Sequence, residues 1–243
     1  MTRERQLTEA FVSLTDVTAD EVDPMVLLRR LVDHSVRLTS VDAAGVMLAN
    51  ARGQLRPVAA TSGQVEMTEM LQGQIAQGPC VDAYVTGVPV HADDIGARAD
   101  RWPAFVPLAE AAGFRAVHAL PLRVRHQRVG ALNLLAHGPT SLSADETHLL
   151  QALADTAATA VITWTSDPLR PFDIVTRAQA ALSGKALVDT AIGMIAATAG
   201  IGPSRAAEHL SAYAAARGER VSEVAAQMVK RVLLPETVLR FEP

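Results

Sequence analysis

The stretch ALSGKALVDTAIGMIAATAGIGPSRAAEHLSAYAAARGERVSEVAAQMV, residues 181–229, decides what the C-terminal part of this chain is. Small apolar residues recur in it at spacings of three and four, which is typical of closely packed helices. Glycines interrupt the pattern, and glycine commonly ends a helix. We therefore predict three helices: from about Asp173 to Gly200, from about Pro203 to Gly218, and from about Val221 to Val232.

The positions of the small residues in this stretch resemble those of the ANTAR domain. The resemblance is carried by Ala191-Ile192-Gly193, then Ala206, Leu210 and Ala214, then Val224-Ala225. It implies a helical module that binds RNA hairpins and controls transcription termination. The chain would then be a regulator and not an enzyme.

In the residues before this stretch, the spacing of apolar residues is typical of helices in some segments and of strands in others. Helices are predicted over about 6–17, from Asp23-Pro24 to about residue 38, and over 66–77. Strands are predicted over 43–49, 54–61, 88–90, 115–122 and 128–136, with Pro89 marking an edge strand. Ser143 and Glu146 have the spacing of a capping box, which opens a long helix to about Thr165. This order predicts an α+β domain with an antiparallel sheet and flanking helices.

Several segments of this α+β part resemble the GAF domain. GFRAV (113–117), Pro121-Leu122 and GALNL (130–134) resemble its central strands. GPCVDA (78–83) and Arg101-Trp102-Pro103 resemble GAF domains that are joined to ANTAR domains in actinobacteria. The resemblance covers about residues 25–165, and it implies an actinobacterial regulator of transcription antitermination.

These patterns divide the chain into four parts. We predict an N-terminal helix (1–22), a GAF-like sensor domain (23–166), a hinge with two prolines (167–172) and a three-helix ANTAR-like RNA-binding domain (173–235). The apolar stripe Leu7, Phe11 and Leu14 and the long helix 144–165 fit a dimer seam, so we expect a homodimer. We also expect the sensor to act on the output through the helix 144–165.

Composition and charge limit the possible functions. With 243 residues and 49% hydrophobic content, the chain can bury one large core or two modest ones. Residues 1–166 hold thirteen Lys and Arg against eighteen Asp and Glu, whereas residues 167–243 hold nine against eight. Such a weakly positive tail counts against RNA binding, which draws most of its non-specific affinity from phosphate contacts.

The surroundings of the chain can also be predicted. The single cysteine excludes an intramolecular disulfide and suits a reducing compartment. The first residues carry charges where a signal peptide needs an apolar segment, and no run of 18 uncharged apolar residues is found. We therefore expect a cytoplasmic protein that does not span a membrane.

The sequence contains no recognisable catalytic or metal-binding pattern. Phosphate-binding glycine loops and the G-x-S-x-G nucleophile motif are missing, and the seven histidines form no metal-ligand spacing. GAF enzymes that reduce methionine sulfoxide use several cysteines, and this chain has one. We therefore expect no catalytic residues, no metal, no cofactor and no enzymatic activity.

Three residues are candidates for a small-molecule pocket in the sensor: Cys80, His118 and Asn133. Cys80 follows Gly-Pro and either senses redox state or a ligand, or is a small apolar residue of the domain wall. His118 and Asn133 are on strands that should be neighbours, where they either line a pocket or make structural hydrogen bonds.

For the ANTAR-like part, RNA binding needs cations for phosphates and flat groups for unstacked bases. Arg205, His209 and Tyr213 are spaced by four and share one helix face, so Tyr213 could stack on a base, or it could cover the helical core. The complete candidate set is Lys185, Arg205, His209, Tyr213, Arg217 and Arg220.

The chain departs from the ANTAR pattern at two positions that matter for RNA. Ile192 replaces a lysine, and Ala207 replaces an aromatic residue. Each loss weakens phosphate or base contact without harming the helices. The alternative function is therefore a dimeric protein-interaction module with a degenerate ANTAR bundle that no longer binds RNA.

Overall fold

The structure is a computed structural model that describes residues 2–15, 24–163 and 171–241. The helices before the long α6 are α1 (Arg3–Thr15), α2 (Pro24–Leu38), α3 (Gly63–Ile75), α4 (Pro79–Thr86) and α5 (Phe105–Ala111). The strands are β1 (Ala43–Ala49), β2 (Leu55–Ala60), β3 (Val90–Ala92), β4 (Ala116–Val124) and β5 (Gln127–Ala136). The remaining helices are α6 (Ala144–Thr163), α7 (Pro171–Ala199), α8 (Pro203–Arg217), α9 (Val221–Val229) and α10 (Pro235–Leu239).

The five strands form one antiparallel sheet in the order β2-β1-β5-β4-β3. The predicted α+β class is confirmed, and β3 lies at the edge, as Pro89 indicated. The turn between β1 and β2 is built on Asn50. The Asn50 side chain accepts hydrogen bonds there from the backbone N–H groups of Arg52 and Gln54, and Gly53 has a φ of +74°.

The sheet separates two layers of helices. Leu132 and Leu134 of β5 belong to a buried cluster with α1, α2 and α6 on one face. Leu135 of β5 and Val117 of β4 belong to a second cluster on the opposite face, with α3, α4 and α5. Side chains alternate along a strand, so neighbours in sequence enter different clusters.

The predicted helix start at Ser143 is confirmed. The backbone N–H of Glu146 donates to Ser143 Oγ at 3.2 Å, and the Glu146 carboxylate accepts from the Ser143 backbone at 2.9 Å. The Ser143 backbone and hydroxyl, the stronger causes, hold the pKa of Glu146 below its usual range. Asp23, the predicted cap of α2, lies outside the described residues.

The proposed dimer seam is used within the chain. Leu14 is fully buried, and Leu7 and Phe11 pack against the cluster of α2 and α6. The apolar side of α6 is buried in the same cluster through Leu150, Leu153, Ala154, Ala157, Ala158, Val161 and Ile162. Leu14 and the apolar side of α6 are therefore not free for a partner, whereas Leu7 and Phe11 are only partly buried; that part of the seam and the homodimer stay predictions.

The C-terminal residues form a small helical bundle. The three predicted helices are present as α7, α8 and α9, and a short fourth helix, α10, adds Val238 to the core. Residues 164–170, which include 167–170 of the predicted hinge (167–172), lie outside the described residues, and α7 already begins at Pro171.

Within residues 2–15, 24–163 and 171–241, no single helix is both long enough and apolar enough to span a membrane. Two consecutive helical segments meet the length and apolarity of a span only when they are taken together, and the chain bends by 110° between them: Leu182–Ala199 and Pro203–Arg217.

Gly130 allows the close approach of β1 and β5, and we predict that Gly130→Ala destabilises the sheet. A Cβ at this position would overlap the backbone carbonyl oxygen of Met47, which cannot move without breaking the strand pairing. We expect a loss of about 1–3 kcal/mol in the free energy of unfolding, measured by urea denaturation.

The matched control is Gly138→Ala, because a Cβ there meets nothing within 4 Å. Equal stabilities of the two variants would contradict the close packing of β1 on β5.

Candidate sensor site and RNA interface

A cluster of polar side chains is buried between α3 and the sheet. Glu69 and Gln72 of α3 are fully buried, and Asn133 of β5 is 1% exposed. Asn133 Nδ2 donates to Glu69 Oε1 at 3.3 Å, and the backbone N–H of Cys80 donates to Gln72 Oε1 at 2.9 Å. We call Glu69, Gln72 and Asn133 the buried polar cluster.

Each member of the cluster keeps one unpartnered polar atom. In the described part of the chain, four buried side-chain atoms lack a hydrogen-bond partner, and three of them are Glu69 Oε2, Gln72 Nε2 and Asn133 Oδ1. A buried polar atom without a partner is costly, so three at one place indicate a site built for more than packing. Its only ionisable side chain is an acid, so the cluster carries no cation, and Gln72 Nε2 is an amide donor that lacks a partner.

Burial controls the ionisation of this site. Burial raises the pKa of Glu69 well above its usual range, and the hydrogen bond from Asn133 opposes this only in part. Burial, and then the neighbouring Glu69, raise the pKa of the Cys80 thiol well above its usual value. The thiol is therefore protonated at neutral pH and is a poor nucleophile, which favours the interpretation of Cys80 as part of the wall.

His118 lies apart from the other two predicted pocket residues. It pairs with Leu134 in the β4–β5 register, whereas Asn133 pairs with Ala119, so their side chains enter opposite faces of the sheet. His118 Nε2 lies 2.9 Å from the carbonyl oxygen of Thr140, and its Nδ1 lies 3.1 Å from His91 Nδ1. Burial, and then His91, lower its pKa. The structure thus gives His118 structural hydrogen bonds and groups only Cys80 and Asn133.

Sequence reasoning missed Glu69 and Gln72. Polar residues on a short helix normally face solvent, so they gave no sign of burial. The burial pattern of α3 is the reverse of the usual one, since the apolar Met70 is 37% exposed beside the fully buried Glu69. Only the packing of α3 on the sheet shows which side is inside.

The predicted RNA-binding cations fall into two groups. Lys185, Arg217 and Arg220 contact acids: Lys185 Nζ lies 2.8 Å from both Glu66 and Asp189, Arg217 lies 2.6 Å from Glu219, and Arg220 contacts Glu223. Arg205 is exposed and has no ion pair within residues 2–15, 24–163 and 171–241, while His209 is half-buried.

Two family models match the chain. The GAF domain model matches residues 21–161, which is more than half of the chain, and the ANTAR domain model matches residues 176–229. The chain belongs to the GAF domain family. An ANTAR domain follows its GAF domain.

Solved structures support the GAF fold. The GAF domain of an Acinetobacter phosphoenolpyruvate-protein phosphotransferase is 13% identical with a TM-score of 0.51, covering 66% of this chain and 93% of that chain. The chromophore-binding domain of bacteriophytochrome RpBphP3 from R. palustris is 12% identical with a TM-score of 0.50, covering 63% and 59%. At such identities the likeness shows the fold alone. No curated protein sequence matches the chain.

Tyr213 of the ANTAR domain is part of its core. It is only 6% exposed, its ring meets Phe241 edge-on at 5.6 Å, and the Arg217 guanidinium lies 5.5 Å from the ring centre. It shares its buried stripe with Ala206 and Leu210. The idea that Tyr213 stacks on a base beside Arg205 therefore does not fit the structure, and the alternative, a cover for the helical core, does.

The ANTAR domain also exposes cations that the sequence analysis did not single out. Lys230, Arg231 and Arg240 follow α9 and α10, are exposed, and make no ion pair in the described part of the chain. Ile192, one of the departures from the family pattern, packs against the ANTAR core. Its replacement of lysine thus exchanges a cation for apolar contact.

Metal binding finds no support in the described residues. Among residues 2–15, 24–163 and 171–241, no group of three or more His, Cys, Asp or Glu side chains is arranged to hold an ion. His91, His118 and Asp93 lie near one another, with His118 Nδ1 and Asp93 Oδ1 3.9 Å apart, but they do not form such a group. The expectation of no metal and no cofactor stays a prediction.

We predict that Glu69→Gln removes a pH-dependent loss of stability from the GAF domain. The folded pKa of Glu69 is raised above its unfolded value of about 4.5. Its contribution to the free energy of unfolding is therefore fully present below the unfolded pKa and is lost as pH rises through the folded pKa. The amide has the same shape and never ionises. We therefore expect the variant to gain stability relative to wild type as pH rises from about 5 to 8.

The measurement is the difference in urea midpoints between wild type and variant across this pH range. Glu110→Gln is the control: Glu110 is a half-buried acid that pairs with Arg115 at 2.9 Å, and its substitution should leave the difference flat. A difference for Glu69→Gln that does not change with pH would mean that Glu69 titrates normally.

Proposed function

We propose that this protein is a signal-responsive, RNA-binding regulator of transcription termination, an antiterminator whose GAF domain controls its ANTAR domain. The observation that carries the proposal is the presence of both domains in one chain, because ANTAR domains bind RNA and GAF domains bind small-molecule ligands. Such a protein would act in the cytoplasm, where transcripts are made.

The RNA-facing side of the ANTAR domain would be its unpaired cations. Arg205 on α8, Lys230 and Arg231 after α9, and Arg240 after α10 are exposed. Cations that form no ion pair with an acid lose least when they pair with phosphate, and they bring counterion release. RNA hairpins are therefore the proposed partners, and two copies of the domain in a homodimer would gain avidity on two hairpins.

The input would be a small molecule at the buried polar cluster. Three unpartnered polar atoms beneath α3 offer hydrogen bonds that the protein itself leaves unused. Catalysis forms no part of the proposal, since the Cys80 thiol is protonated and buried and the cluster supplies no paired nucleophile and base.

A second function is favoured by the pairing of charges. Three of the predicted RNA-binding cations contact acids, and the one predicted aromatic is buried. These observations suit a protein-interaction module whose ANTAR bundle has lost RNA binding.

We predict that Arg205→Ala weakens RNA binding. The probe is a synthetic RNA with two hairpin loops, and its dissociation constant is measured against salt concentration. Removing one phosphate contact should cost about tenfold in affinity and reduce the slope of log affinity against log salt by about one.

Arg98→Ala, an exposed arginine on the GAF domain, is the control and should change neither quantity. Tyr213→Ala is unsuitable as a stacking test because it would damage the core. Absence of RNA binding by wild type at low salt would reject the antiterminator and leave the interaction module.

A further inference from the structure

One predicted RNA-binding cation is held by the sensor. Lys185 lies on α7 of the ANTAR domain, and its Nζ donates to Oε1 of Glu66 on α3 of the GAF domain at 2.8 Å. The Lys185 side chain is only 15% exposed. A second acid, Asp189 on the same helix, also accepts from Nζ at 2.8 Å. In this structure Lys185 is thus withdrawn from any phosphate.

The contact between the domains is more than one ion pair. Leu182, almost one turn before Lys185, packs against the buried cluster of α1, α2 and α6. Helix α7 also contacts α2, α6 and the strands β1, β2 and β5. Burial acts most strongly to lower the pKa of Lys185, but the hydrogen bonds to Asp189 and Glu66 together raise it. The lysine is therefore charged in its shielded position.

Helix α3 contacts both the ANTAR domain and the buried polar cluster. Glu66 points outward to Lys185, whereas Glu69 and Gln72 point inward to the buried polar cluster. The Glu69 carboxyl lies directly on Gly45 of β1, where even a Cβ would overlap it. The inner side of α3 thus rests on Gly45 and on polar atoms that lack partners.

We infer that the Glu66–Lys185 contact is an autoinhibitory latch, and that α3 opens it when the buried polar cluster is filled or disturbed. A group that partners the three orphan atoms needs space beneath α3, and an outward shift of α3 carries Glu66 away from Lys185. Lys185 then keeps only its partner on its own helix and can reach RNA. This inference rests on the proposed RNA-binding function.

The test is a double-mutant cycle on RNA affinity, with the synthetic two-hairpin RNA as probe. Glu66→Gln opens the latch, so the full chain should bind the RNA about three- to tenfold more tightly, with a salt slope steeper by about 0.7–0.9. Lys185→Gln alone should change little. In the Lys185→Gln background, Glu66→Gln should have no effect, because the released cation is missing.

Glu110→Gln removes the same charge from the GAF domain, but Glu110 pairs with Arg115 of that domain and not with Lys185, so this variant should leave affinity unchanged. A steric variant tests the inner side of α3. Gly45→Ala pushes on Glu69 and should also tighten RNA binding, whereas Gly63→Ala at the start of α3 has nothing within 4 Å and should not.

Hydrogen exchange of α7 gives a readout without RNA. Backbone amides over 182–190 should exchange faster in Glu66→Gln than in wild type or Glu110→Gln. Equal RNA affinity and equal exchange in wild type and Glu66→Gln would overturn the latch and leave the proposed function standing. Faster exchange with no RNA binding by any variant would instead overturn the proposed function.

Discussion

The double pairing of strand β5 is the constraint on which the GAF domain depends. It pairs with β1 on one side and β4 on the other, and both of its faces are buried. Because its side chains alternate, one set must be apolar for α2 and α6, and the other must suit α3 and α4. Gly130 brings β1 close enough to complete this arrangement. Asn133 is the polar exception in an otherwise apolar strand centre, and it anchors the buried polar cluster.

Local patterns were sufficient to predict the order and type of most elements. The capping residues of α6, the proline beside β3 and the spacing of small residues in α7–α9 each act over a few positions. The sides on which His118 and Asn133 lie depend instead on the register between β4 and β5, which no local pattern contains. The short α10 was missed for a similar reason, since its core residue Val238 finds its partners on α7 and α8.

The candidate site shows the same division. Tyr213 is eight residues after Arg205 and three after Leu210, so helix spacing alone allows it to face either the surface or the core. Its contact with Phe241 shows that it faces the core. The net charge of the C-terminal part did not decide whether it binds RNA either. It counts Arg217 and Arg220, which pair with acids, in the same way as Arg205, which forms no ion pair in the described part of the chain. The structure separates the cations that already have acids beside them from those that do not. The local arrangement of charge therefore matters more than the sum.

The physical difference between α6 and α3 is the reason why the proposed latch places the sensor signal on α3, whereas the sequence had suggested α6. Helix α6 buries seven apolar side chains, and Asp155 on it pairs with Arg123 of β4 at 2.7 Å. Moving α6 would expose groups that each contribute up to about 1.5–3 kcal/mol when buried. Moving α3 would instead bring solvent or ligand to polar atoms that now lack hydrogen-bond partners, and these new hydrogen bonds would compensate for the weaker packing of α3 on the sheet. The less costly motion is therefore on the side of the sheet where Glu66 holds Lys185.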